Sequence, residues 1–255
     1  VRYVGELFGK TNYSEIHLVG RYLSGLFDLG TVLVIFSISR TLFKKTNIAI
    51  IASFFYAFAA LPIQISHYFI VDNFATFFCM LAFFSAVKIA QKEQHSSSSS
   101  QAISTKYIFV KEWNGFGYYV LFSVALGLAA ASKINSVVAA FLLPTAILFT
   151  IDRDYFRASN SLWKIHLKYL IIAGLMSFIV FRIFQPYAFS GPGFFNFSLN
   201  PKWIKNIMEL SSLSSGLSNY PPSLQWTRRT FTFPIKNMFG WGMGISFGVA
   251  SIIGL

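Results

Sequence analysis

The apolar residues of this chain fall into long blocks joined by short polar stretches. A bilayer core of about 30 Å is crossed by about 20 apolar residues in a helix. By that measure seven blocks are candidate membrane helices: 18–39, 47–66, 69–90, 115–132, 134–151, 167–185 and 237–255. Two stretches between the blocks have a different character. Ser96 to Ser100 form an uninterrupted serine run beside Lys92, Glu93, Gln94 and His95, which reads as a flexible linker with a solvated histidine rather than a ligand site. Residues 186–236 mix Gly, Pro and aromatics around one amphipathic pattern. Asn200-Pro201 reads as an N-cap followed by proline at the first helical position. Trp203, Ile207 and Leu210 then recur at helical spacing, with Lys202, Lys205 and Glu209 on other faces. That pattern predicts a helix lying on a membrane surface.

Composition agrees with the blocks. Of 255 residues, 55% are hydrophobic and 12% charged, the mean hydropathy is +0.56, and 30 are phenylalanine. A water-soluble fold does not keep such a balance in solution, whereas helices packed in a bilayer accommodate it. The fold class is therefore an all-α, polytopic integral membrane protein. It reads as a single module over 1–255, with 186–236 as an extracytoplasmic loop inside it.

The net charge of +12 raises the question of nucleic acid, and its distribution answers it. The basic residues sit between apolar blocks rather than along one stripe, which is how membrane orientation is encoded. The joints after the first, third and fifth blocks hold Arg40, Lys44, Lys45, Lys88, Lys92, Lys106, Lys111, Arg153, Arg157, Lys164 and Lys168, while the short joints of opposite parity hold only Lys133. The positive-inside rule puts the first set in the cytoplasm and Val1, His67, Lys133 and 186–236 outside. No nucleic-acid partner is expected. Cys79, the one cysteine, lies inside an apolar block and reads as a packing residue. The chain starts at Val1 rather than Met, shows no signal peptide and stops inside an apolar block. On those grounds it is expected to be a piece of a longer protein.

Charges retained inside or at the ends of membrane helices cost free energy and are functional candidates by default. They are Asp28, Asp72, Lys133 and Arg182. Asp28 reads as structural, because Arg21 lies two turns earlier on the same face. Asp72 follows the polar run Gln64-Ile65-Ser66-His67-Tyr68; with His67 it is a candidate ligand pair for a divalent metal ion, the one cofactor the residues suggest. The other reading of Asp72 is a helix-terminal carboxylate paired with a basic neighbour. Lys133 ends the small-residue run Gly127-Leu128-Ala129-Ala130-Ala131-Ser132 and either neutralises a phosphate at the membrane surface or snorkels into the interface. Arg182 offers a guanidinium fork to the same phosphate or serves the structure. Arg228 and Arg229, beside aromatic and proline-rich residues, suit an anionic headgroup better than a substrate. No nucleophile elbow, zinc-protease helix, phosphate-binding loop or dinucleotide fingerprint occurs in a fitting context.

Four segments, His67-Tyr68-Phe69-Ile70-Val71-Asp72-Asn73-Phe74-Ala75-Thr76-Phe77-Phe78, the Gly-Leu-Ala-Ala-Ala-Ser-Lys run ending at Lys133, Phe181-Arg182-Ile183-Phe184-Gln185-Pro186-Tyr187, and Tyr220-Pro221-Pro222 through Gln225-Trp226, together resemble phospholipid-carrier-dependent glycosyltransferases. These are relatives of the protein O-mannosyltransferases in the GT-C superfamily. The resemblance runs in order over nearly the whole chain. It implies a GT-C-type helical bundle that moves a sugar, with inversion, from a polyprenyl-phosphate donor to a protein or glycan acceptor on the extracytoplasmic face. It also implies that Asp72 belongs to the site region and that Lys133 meets the donor phosphate, with His67 and Arg182 in the same substrate-binding set. The family's catalytic acid lies in the first outside loop, after an initial membrane helix, so it is expected upstream of Val1. Neither Glu6 nor Glu15 is assigned that role. Membrane lipids are the other expected partners, and the plasma membrane of a prokaryote is favoured over the endoplasmic reticulum. The rival from another class is a transporter or flippase of a lipid-linked substrate, which places such charges nearer the bilayer midplane.

Overall fold

The structure, a computed structural model, describes residues 2–10, 12–97, 105–150, 162–191, 193–215, 221, 224, 229–230 and 232–253. Val1, Ser98 to Ser100, Arg153, Arg157, Tyr220, Pro222, Gln225, Trp226 and Arg228 lie outside the described residues, and so do the side chains of Lys92, Glu93, Gln94, His95, Ser96, Ser97, Lys106, Lys111 and Lys164. In chain order the helices are α1 Arg2–Leu7, α2 Tyr13–Phe43, α3 Thr46–Ala57, α4 Ala60–Ser66, α5 Val71–Ser97, α6 Thr105–Ser132, α7 Leu142–Thr150, α8 Leu162–Phe184, α9 Pro201–Ser215, α10 Thr232–Asn237 and α11 Ile245–Ile253. A 3-10 helix Ile134–Phe141 leads into α7, and a π turn Met238–Gly242 separates α10 from α11.

The chain is a multi-pass helical membrane protein. Among the described residues three helical stretches are long and apolar enough to cross a bilayer: Glu15–Phe43, Val71–Gln91 and His166–Phe184. They expose Leu26, Leu29 and Leu33 on α2 and Ile171, Leu175 and Ile179 on α8, the outward apolar surface that lipid covers.

The expected second span is broken. Helices α3 and α4 meet at a 58° bend, because Pro62 cannot donate to the carbonyl of Phe58 and its ring collides with that turn. The blocks at 115–132 and 134–151 form shorter apolar helices, Phe116–Ser132 and Ile134–Phe149. The second of these starts as 3-10 helix ahead of Pro144, whose missing N–H takes one rung from the α ladder. The expected last span is interrupted by the π turn and by Gly244 at φ +81°, a left-handed conformation that glycine adopts without strain.

The chain divides into two compact units, residues 1–58 with 62–181, and 59–61 with 182–255. Arg182 belongs with the second unit because its guanidinium is held by that unit's residues, as described below.

In the first unit α2 and α5 run in the same direction: Phe27 meets Phe74 at 4.7 Å between ring centroids, and Lys44 Nζ donates to Gln91 Oε1 at 3.3 Å. Helices α5 and α6 run antiparallel, with Phe84 against Tyr118. Helix α8 runs parallel to α6, with Tyr169 against Tyr119 and Ser177 beside Gly127. A Cβ on Gly127 would stand 2.6 Å from both the Ser177 carbonyl oxygen and Val180 Cβ, so the small-residue run does bring helices close, as such runs do in membranes. The core is Ala82, Ala86 and Ile89 with Phe122, Ala125, Leu143 and their neighbours. Buried Ser85, Ser123 and Ser177 donate back to the carbonyls of Leu81, Tyr119 and Ala173, which satisfies their hydroxyls without a cross-helix partner.

In the second unit an isolated antiparallel bridge pairs Phe189 with Leu199, and Ser190 N–H donates to Ser198 O at 2.8 Å. The hairpin runs straight into α9, where Asn200 Oδ1 accepts from Lys202 N–H at 3.0 Å, the N-cap expected from Asn200-Pro201. On α9 Trp203, Ile204, Ile207 and Leu213 are half-buried, and Leu210 is exposed.

Candidate functional site

The first unit brings two of the sequence candidates together at one end of the α5/α6 pair. Asp72 lies in the first turn of α5, where the exposed N–H groups and the helix dipole favour a carboxylate. Lys133 is the extended residue between α6 and the following 3-10 helix, with φ −148° and ψ 113°; its N–H donates to Ala129 O and its carbonyl accepts from Ser136 N–H. The backbone is thus held on both sides, and Nζ donates to Asp72 Oδ1 at 2.5 Å. The side chains are 45% and 43% exposed. A pair this open to water contributes about 0–1 kcal/mol to stability, so stability alone gives little reason to keep it. What the arrangement supplies is an aimed ammonium that can be shared with an anion arriving from outside the protein.

Beneath Asp72 sits Asn73, 2% exposed, its Nδ2 without a hydrogen-bond partner. An unpaired buried amide is uncommon. It lies within the His67–Phe78 segment that carries the family resemblance, but its burial shows only once α5 is packed.

His67 is exposed and turned toward its own segment, with Nδ1 at 2.6 Å from Ile63 O. Among the described residues no group of three or more His, Cys, Asp and Glu could hold a metal ion. Asp72 Oδ1 pairs with the Lys133 ammonium and His67 Nδ1 with the Ile63 carbonyl, so the two side chains are engaged separately rather than with each other.

Asp28 accepts a hydrogen bond from Tyr56 Oη at 2.9 Å. The compensation expected from Arg21 is supplied instead by α3, because Asp28 points across the α2/α3 interface rather than along its own helix. The sequence offered no signal for Tyr56 beyond its place in an apolar block.

Arg182 is 6% exposed. Nη2 donates to Gly193 O at 2.8 Å, and the guanidinium lies 4.7 Å from the centroid of the Phe189 ring and 5.6 Å from that of Phe194. These are the contacts of a cation that organises a loop. Its buried Nε has no hydrogen-bond partner. Arg229 is exposed and stacks over Phe233 at 4.6 Å.

A sequence profile for dolichyl-phosphate-mannose-protein mannosyltransferases matches residues 6–190, a stretch that includes His67, Asp72, Lys133 and Arg182. No curated protein and no solved structure matches the chain.

Proposed function

The chain belongs to the dolichyl-phosphate-mannose-protein mannosyltransferase family, a family of membrane glycosyltransferases, and from that premise we propose that it moves a sugar from a polyprenyl-phosphate donor to an acceptor on the extracytoplasmic face. The observation that carries the site reading is the aimed, half-exposed ammonium of Lys133 beside Asp72. In such a transfer the bond between the sugar C1 and the phosphate oxygen breaks while an acceptor oxygen bonds to C1 from the opposite side, so the anomeric configuration inverts. The acceptor proton leaves to a base, and the lipid phosphate departs with both electrons of the broken bond. A cation within reach of that phosphate lowers the barrier by stabilising charge as it develops. Lys133 is that cation, and Asp72 aims it. Asp72, committed to Lys133, is not assigned the part of the base.

The sidedness rests on charge. Arg40, Lys44 and Lys45 cluster where α2 turns into α3, and the parallel course of α2 and α5 puts that turn at the opposite end of the bundle from Asp72 and Lys133. With basic joints inside, the Asp72–Lys133 end faces outward. A family of glycosyltransferases favours transfer over the transporter reading. The acceptor follows the family's description as a protein, and the donor sugar as mannose.

The test is sugar transfer from a polyprenyl-phosphate mannose donor by the full-length protein, with the segment expected upstream of Val1, reconstituted in vesicles, comparing the parent with Lys133→Ala and Asp72→Ala. Transfer that falls in both variants supports the assignment; transfer equal to the parent's in both removes these residues from the mechanism.

A further inference from the structure

Between Arg182 and Lys202 no residue carries a charge, and the stretch holds Phe184, Tyr187, Phe189, Phe194, Phe195 and Phe197. A loop bathed in water on both sides rarely has this composition; aromatic residues without charges collect where a membrane meets water. The structure adds how the loop is tied at its base, within the second unit. Arg182 lies in the last turn of α8, whose stretch His166–Phe184 is long and apolar enough to span a bilayer. Its guanidinium donates to Gly193 O and packs over the rings of Phe189 and Phe194, so the tip of the hairpin is tied back to the end of the span. The hairpin below the tip is closed by the Phe189–Leu199 bridge and by Asn196 Oδ1 accepting from Ser198 N–H.

With the base fixed, the tip presents apolar groups outward. Phe195 is 83% exposed and stands edge-on to Phe194, which is 46% exposed; Phe197 and Leu199 are each 51% exposed. Aromatic rings exposed beside the end of a membrane span suit the boundary between headgroups and acyl chains.

We propose that the Phe194-Phe195 tip is a lipid-binding wedge, seated in the interfacial layer of the bilayer and held there by Arg182. Its partner is phospholipid, and its contacts are aromatic ring to acyl chain. This goes beyond the transfer reaction and does not depend on it. Arg182, on this account, is a positioning residue for membrane contact.

The test uses the full chain in a Cys79→Ala background, reconstituted in vesicles of phosphatidylcholine and phosphatidylglycerol. Phe195→Cys carries an environment-sensitive fluorophore, and Lys205→Cys, whose native side chain is 77% exposed, carries the same label as a water-facing reference. The wedge predicts severalfold weaker iodide quenching at position 195 than at 205, with strong quenching at 195 by lipids spin-labelled near the headgroup. Iodide quenching equal to that at 205 overturns it, and so does shielding from iodide without quenching by the labelled lipids, which indicates a protein cover. Adding Arg182→Gln should raise iodide access at 195 severalfold; unchanged access removes Arg182 as the anchor.

Discussion

Lys133 and Arg182 look alike in the sequence, each a cation at the end of an apolar block, and each was a candidate for the same phosphate. The structure separates them by exposure and by partner. Lys133 reaches a carboxylate in a half-exposed setting, so a second anion can compete for it with little conformational change. Arg182 is enclosed by two rings and a backbone carbonyl, and freeing it means dismantling the hairpin. On the proposed reading, a cation at a helix end serves incoming charge where its resting partner can be exchanged.

The sharpest break in this comparison is expected at Lys133. Lys133→Gln should lower kcat/KM for sugar transfer about a hundredfold, the scale of losing one group that stabilises developing charge; steady-state transfer assays would measure it, and a loss below twofold would place Lys133 with the structural cations. Next comes Arg182. Arg182→Gln should destabilise the second unit by about 2 kcal/mol, since it removes a charge-assisted hydrogen bond and two ring contacts from a buried position. Limited proteolysis between residues 186 and 215 would report it as faster cleavage. Asp72→Ala should reduce transfer about tenfold by leaving the Lys133 stem unaimed. The smallest expected effect is the loss of stability in Lys133→Gln, about 0–1 kcal/mol; a thermal-unfolding shift as large as that of Arg182→Gln would erase the distinction.

The parts of the fold that local chemistry determines were legible in advance. The cap at Asn200 needs only an acceptor side chain followed by proline at the first helical position. Hydropathy located α2, α5 and α8 because each is long enough for a window to average over. The same averaging hid the break between α3 and α4, where one proline in an apolar stretch changes the geometry while leaving the hydropathy high. At the site, Asp72 and Lys133 stood out as charges in apolar surroundings, but their pairing joins residues 61 positions apart and appears only when α5 and α6 pack antiparallel. The enclosure of Arg182 was illegible for a different reason: its partners are a glycine carbonyl and two phenylalanines, none of which signals a binding partner for a cation.

The central claim is that Lys133 meets the phosphate of a lipid-linked donor. Equilibrium binding of a short-chain polyprenyl phosphate to the reconstituted protein tests it without requiring turnover. Compared with the parent, Lys133→Gln should bind about tenfold or more weakly, as expected for the loss of a charge-assisted contact, while Lys205→Gln, on the exposed face of α9, should bind as the parent does. Equal affinity in the parent and in Lys133→Gln would contradict the account.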